Sequence, residues 1–166
     1  MNKEFAGKTI QDIVQCYSDM LLRIAFQNMR GLDTAEDIVQ EVYIKLMKQT
    51  KPFTSDEHLK AWLIRVTVNL CKDYYRSSWF KKTVPLTAAM DFFAPEEQKV
   101  MEEIFSLKVE ERNIIYLHYY EGYTIREIAS ILEKNENTIS SKLQRSRKKL
   151  RSLLEEGRGE NEYSIS

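Results

Sequence analysis

Apolar residues recur at three- and four-residue steps along almost the whole of this chain, a period that admits amphipathic helices and little else. The first such segment carries Ile10, Ile13, Val14, Tyr17, Met20, Leu21 and Ile24 on one face. Gly31 closes it, and Asp33 and Thr34 offer caps for the next helix, with Glu36 and Asp37 three residues on. That second helix runs to about Gln49 with Ile38, Val42, Leu46 and Met47 inward, until Pro52 breaks the chain. A third starts at Ser55 to Glu57 and continues to about Arg76 on Leu59, Trp62, Leu63, Val66 and Leu70. With only five Gly and three Pro in 166 residues, the chain lacks the turns an all-β fold needs.

The texture changes at residues 77–95. Two of the three prolines, Pro85 and Pro95, fall there, the helical period lapses, and Trp79, Phe80, Phe92 and Phe93 interrupt the polar residues. This segment reads as a linker. The period then returns in helices at Glu96 to Leu107 and Glu110 to Tyr120, with Gly122 as the turn. Thr124-Ile125-Arg126-Glu127 is a capping box that opens a short helix ending near Leu132. Glu133 to Asn135 connects it to a last helix from about Glu136 to Glu155, and the polar residues 157–166 read as a disordered tail. The expected fold class is therefore all-α: two small helical domains, residues 1–76 and 96–156, joined by an extended linker at 77–95.

Charge and cysteine usage narrow the function. Lys+Arg and Asp+Glu both number 25, so the chain is not a globally basic DNA-coating protein, though local patches remain open. No apolar run approaches the ~20 residues of a membrane span, and the first residues have no apolar signal core. Cys16 and Cys71 stand far apart, without metal-ligand spacing, and read as free thiols of a reducing cytoplasm. His58 and His118 have no ligating neighbours in sequence. No phosphate loop, nucleophile elbow or zinc-protease motif occurs, so no catalytic residue, metal or cofactor is expected.

Three segments could bind partners. The short capped helix, tight turn and longer helix near the C-terminus have the form of a helix-turn-helix. The longer helix bears Lys142, Arg145, Arg147, Lys148, Lys149 and Arg151, with no acid between Asn137 and Leu154. Ile139, Leu143, Leu150 and Leu154 take one face, while hydroxyl, amide and cationic groups on the other suit base edges and phosphates. A solvated basic face is the plainer alternative for that helix taken alone. In the third helix, Trp62, Asn69, Tyr74 and Tyr75 are interleaved with Arg65, Lys72 and Arg76, a pattern suited to single-stranded nucleic acid: rings stack on bases while cations follow phosphates. Core packing of the aromatic residues is the competing reading. In Ala35 to Tyr43, Asp37, Gln40 and Glu41 share an outward polar face without catalytic spacing.

These blocks together resemble the sigma-70 family of bacterial transcription initiation factors, in its short extracytoplasmic-function (ECF) group. AEDIVQEVY at 35–43 is similar to the family's core-polymerase-binding segment, and AWLIRVTVNLCKDYYR at 61–76 to its promoter-opening segment. LKVEERNIIYLHYYEGYTIREIASIL at 107–132, followed by NTISSKLQRSRKKL at 137–150, is similar to its second domain. The blocks keep family order and spacing from Tyr17 to about Leu154. The chain departs from the family pattern at Lys108, where Pro is usual, and at Glu133 and Lys134, where Gly and an apolar residue are common. It departs again at Asn137 to Lys142, where Gly-Thr-Val-Lys-Ser-Arg is common.

The resemblance implies a sigma region 2-like domain, a region 4-like helix-turn-helix domain, and a non-enzymatic, cytoplasmic factor without a small-molecule substrate. It implies core RNA polymerase (β and β′ subunits) as a partner at Asp37, Gln40 and Glu41. The −10 element would be recognised and melted at Trp62, Arg65, Asn69, Lys72, Asp73 and Arg76. The −35 element would be read at Thr138, Ser141, Lys142, Arg145, Arg147, Lys148 and Lys149. It further implies an anti-sigma factor, often membrane-anchored, that holds the protein until a stress or envelope signal. The rival readings are a stand-alone helix-turn-helix regulator acting as a dimer, and a sigma-mimicking adaptor that only blocks polymerase. The aromatic-cationic helix at Trp62 to Arg76 speaks against the first and the basic block from Lys142 to Arg151 against the second.

Overall fold

The structure is a computed structural model that describes residues 3–76 and 94–164. Most of the linker expected at 77–95 lies outside the described residues. The chain divides into two compact units, Met1–Ala89 and Met90–Ser166.

Unit 1 is a bundle of three helices, α1 (Ile10–Met29), α2 (Leu32–Lys48) and α3 (Asp56–Arg76), each packed on the other two. Ile13, Leu21, Ile24 and Phe26 of α1, Ile38, Val42 and Leu46 of α2, and Leu59, Leu63 and Ile64 of α3 are buried together. Each such side chain contributes roughly 1.5–3 kcal/mol by leaving water. Cys71 is buried with them, and burial pushes its thiol up to about 12, so it is an inert packing residue.

A feature absent from the sequence reading precedes α1. Strands β1 (Glu4–Phe5) and β2 (Lys8–Thr9) form a short antiparallel hairpin. Ala6 and Gly7 both take positive φ, 52° and 77°, as a two-residue turn of this hand requires. The hairpin ties the bundle together at one end. Thr9 closes it by capping α1: its hydroxyl accepts from the Asp12 N–H (3.2 Å), and the Asp12 carboxylate accepts from the Thr9 N–H (3.1 Å). The Thr9 N–H foremost, and then the Thr9 hydroxyl, hold the Asp12 carboxyl below the ordinary carboxylate range. The Lys3 ammonium donates to the Met47 and Gln49 carbonyls at the end of α2, where a helix leaves acceptors unpaired. Lys8 pairs with Asp56 at the start of α3 (3.3 Å).

Unit 2 contains α4 (Pro95–Ile104), α5 (Val109–Ile115), a π turn at Tyr116–Tyr120, α6 (Ile125–Leu132) and α7 (Glu136–Ser164). Helix α7 packs against α4, α5 and α6. Phe105, Leu107, Ile114, Leu117, Ile128, Ile131, Ile139 and Leu143 form the core. The Thr124 capping box forms as the sequence implies, with the Thr124 hydroxyl accepting from the Glu127 N–H at 3.2 Å.

Several local expectations are corrected. The left-handed residue that ends α1 is Arg30 (φ 59°), whose N–H reaches the Phe26 carbonyl; Gly31 is extended and leads into α2 at Leu32, so Asp33 falls in the first turn and is not the cap. Met47 is 59% exposed and Val14 40% exposed. The α2 stripe runs Ala35, Ile38, Val39, Val42, Leu46, and Met47 lies one residue, about 100° of rotation, beyond it. The tail expected to be disordered continues α7 as helix through Gly157 and Gly159 to Ser164. Each glycine costs about 1 kcal/mol relative to alanine, which lowers helix preference without forbidding it.

Candidate polymerase and promoter-DNA interfaces

On α2, burial of Ala35, Ile38, Val39 and Val42 leaves Asp37, Gln40 and Glu41 exposed on the opposite face, adjacent at three- and four-residue spacing. Tyr43 flanks them, its hydroxyl hydrogen-bonded to Ser18 of α1 (2.5 Å), and burial raises its phenol above the ordinary range. The three expected polymerase-contact residues thus form one carboxylate-rich surface on a rigid helix.

On α3 the buried side is Leu63, Ile64, Thr67, Val68, Leu70 and Cys71. The six expected −10 residues occupy the other side: Asn69, Asp73 and Arg76 are exposed, and Trp62, Arg65 and Lys72 half-buried. The Trp62 ring is not in the core. It meets Phe53 edge-on, with centroids 5.5 Å apart and planes at 72°, and Phe53 in turn meets His58 (5.2 Å) and Phe5 (6.4 Å). This aromatic cluster, which the sequence reading did not foresee, gives Trp62 a fixed backing while leaving part of its surface to solvent.

On α7 the seven expected −35 residues are not equivalent. Thr138, Ser141, Arg145 and Lys148 are exposed on the side opposite Ile139, Leu143 and Ser146. Arg145 Nε turns back to the Ser141 carbonyl (3.4 Å), so the two residues lie one turn apart on this outer face. Lys142 and Lys149 lie on one flank. Lys142 donates to Glu110 of α5, and Lys149 to the Ser106 carbonyl (3.2 Å). Arg147 lies on the other flank, against Tyr119 and His118. Glu133 in the turn takes the left-handed conformation (φ 55°, ψ 46°), and its N–H reaches the last carbonyls of α6. Among the described residues no group of three or more metal-ligating side chains occurs, and no helix is long and apolar enough to cross a membrane.

One chain thus carries a helical bundle with an acidic face and an aromatic-amide stripe, and a second helical unit with a capped helix-turn-helix. The Sigma-70 region 2 family model matches residues 13–81, and the Sigma-70 region 4 model matches residues 97–150. The chain belongs to the sigma-70 family, among the ECF RNA polymerase sigma factors, and is not an enzyme.

Similar curated proteins include SigM of Mycobacterium tuberculosis, 30% identical over 81% of this chain and 71% of that protein. SigW of Bacillus subtilis is 26% identical over 86% of this chain and 87% of that protein. BldN of Streptomyces coelicolor is 26% identical over 83% of this chain, which spans 57% of BldN. Among solved structures, the sigma factor RpoE of Bartonella quintana, in complex with the anti-sigma factor NepR, shares the fold with a TM-score of 0.69 at 22% identity, over 87% of this chain and 96% of that one. CnrH, in complex with the cytosolic domain of CnrY, gives a TM-score of 0.62 at 22% identity, over 88% of this chain and 87% of that one.

Proposed function

We propose that this chain binds the β and β′ subunits of core RNA polymerase through Asp37, Gln40 and Glu41, and carries the polymerase to promoters through two DNA contacts. The α3 surface captures unpaired bases of the −10 element: Asn69 supplies an amide, Trp62 a ring, and Arg65, Lys72 and Arg76 cations for the phosphates. The outer face of α7 enters the major groove at the −35 element, with Ser141 and Arg145 toward base edges. The carrying observation is that the chain presents both surfaces, one suited to unpaired bases and one to duplex, which a factor that opens promoters needs and a duplex-binding repressor does not. Nineteen residues separate positions 76 and 96, a contour of at most ~60 Å at ~3.3 Å per residue. One monomer can then hold two elements separated by more than a helical turn.

RpoE and CnrH were each solved with a bound protein, NepR being named an anti-sigma factor. On that basis we infer that an anti-sigma factor, membrane-anchored in the manner common in the family, restrains this chain in the cytoplasm until a stress or envelope signal releases it. Run-off transcription with purified core polymerase and a genomic promoter library tests the central reading. Transcripts from a discrete promoter subset, dependent on the added chain, are expected. Sequence-specific duplex binding without any chain-dependent transcription would return the protein to the stand-alone regulators.

A further inference from the structure

Arg147 of α7 is held in place by aromatic groups. Its Nε donates to the Tyr119 hydroxyl, and its guanidinium carbon lies 5.4 Å from the Tyr119 ring centroid. Its Nη2 lies 3.3 Å from His118 Nε2. The other ring nitrogen, His118 Nδ1, lies 2.8 Å from the Tyr123 carbonyl oxygen. A carbonyl only accepts, so Nδ1 carries the hydrogen, and Nε2 of the neutral ring is left as the acceptor for Arg147. The His118 and Tyr119 rings meet edge-on, 4.9 Å apart at 81°.

His118 and Tyr119 both lie in the π turn at Tyr116–Tyr120. In that turn Tyr116 stacks on Tyr120 (5.0 Å), while His118 and Tyr119 meet Arg147 of α7. Tyr119 nevertheless stays 57% exposed. The two contacts use the inner edge of the guanidinium. Its remaining N–H groups, both on Nη1 and the second on Nη2, have no partner among the described residues and form a fork of the kind that fits a phosphate.

We propose that His118 and Tyr119 are positioning residues that aim Arg147 at a backbone phosphate bordering the −35 element. The proposal rests on the DNA-binding reading above. Arg147 lies on a flank of α7, away from the face of Ser141 and Arg145. A helix seated in the major groove has the sugar-phosphate strands along its flanks, so a flanking cation meets phosphate and not base edges. An arginine already fixed in the free protein loses less rotamer freedom when the phosphate arrives.

The test uses holoenzyme reconstituted from core polymerase and the full chain, with a duplex that the wild-type holoenzyme selects from a pool randomised at the upstream element. Affinity is measured against salt for wild type, Tyr119→Phe, Arg147→Ala and the double variant, after circular dichroism has shown equal helix content. Arg147→Ala is expected to reduce the salt slope by about one phosphate contact. Tyr119→Phe, which keeps the ring and removes the acceptor, is expected to weaken binding about fivefold, the worth of one hydrogen bond. In the Arg147→Ala background it should add nothing. The His118 ring in the free chain should show the Nδ1–H tautomer by nitrogen-15 NMR. Selective binding that Tyr119→Phe leaves unchanged, equal Tyr119→Phe losses in both backgrounds, or an Nε2–H tautomer overturns the positioning role alone. A wild-type holoenzyme that selects no upstream sequence overturns the DNA reading and the positioning role with it.

Discussion

Lys142, on the helix assigned to the groove, is ion-paired to Glu110 of α5, and both side chains are largely covered, at 24% and 35% exposure. Glu110 also lies 3.9 Å from Lys134 in the turn, so one carboxylate braces the turn and α7. Arg145, three residues along, has no such tether outside its own helix among the described residues. Lys142→Ala is therefore expected to cost about 1 kcal/mol of stability, the upper end for a partly exposed pair. Arg145→Ala should leave stability nearly unchanged and relax preference at one or two upstream base pairs by ~1–3 kcal/mol. Denaturant melts and selections on randomised upstream DNA separate the two. A larger preference change in Lys142→Ala than in Arg145→Ala would mean that Lys142 leaves Glu110 on binding DNA.

The α2 face yields a test of polymerase binding. Asp37 and Glu41 are exposed one turn apart, and neither supports the core beneath them. Single alanine changes remove exposed charges worth only ~0.2–1 kcal/mol each. Asp37→Ala with Glu41→Ala together should weaken competition for core polymerase while helix content stays constant. Full competition by the double variant would move the polymerase contact off this face.

Promoter opening is tested on α3. Asn69 is exposed and Trp62 half-buried against Phe53, two turns apart on one side of the helix. Asn69→Ala should reduce open-complex formation on duplex promoter more than on DNA with a pre-melted bubble, because only the duplex demands capture of a base leaving its stack. Trp62→Ala should lose a stacking contribution of ~1–3 kcal/mol on both templates. Equal loss on both templates for Asn69→Ala would assign it to binding alone.

Two departures from the family pattern have a common structural meaning. Lys108, where the family usually has Pro, sits at φ −66°, the angle a proline ring imposes. Glu133, where the turn commonly has Gly, sits at φ 55° and ψ 46°, which glycine adopts without strain. At both positions this chain's backbone angles are ones that proline and glycine, respectively, adopt without strain. Lys108→Pro and Glu133→Gly should each raise stability, by about 0.4–1 kcal/mol for the proline through a narrower unfolded ensemble and by up to about 1 kcal/mol for the glycine through relief of left-handed strain. Thermal melts of the two variants check the sign. A loss of stability in Glu133→Gly would show that contacts of the Glu133 side chain outweigh the strain.

Much of this protein was legible in the residue order because its determinants are local. A 3.6-residue apolar period, a Thr-x-x-Glu cap and a helix-breaking proline act within a few residues, so α1 to α3, the Thr124 cap of α6 and the outward faces of Asp37, Asn69 and Arg145 follow from spacing alone. The Ala6-Gly7 turn was also local, but its two-residue strands are too short to show a period. What the tertiary structure decided is which partner each long side chain meets. Lys142 and Arg147 look alike in sequence, five residues apart on one basic helix. Packing of α5 and the π turn against α7 places a carboxylate beside the first and a histidine-tyrosine pair beside the second. The separations of 32 and 28 residues between those partners lie beyond any local pattern, because a lysine or arginine has several rotatable bonds and takes its direction from what the fold brings within reach.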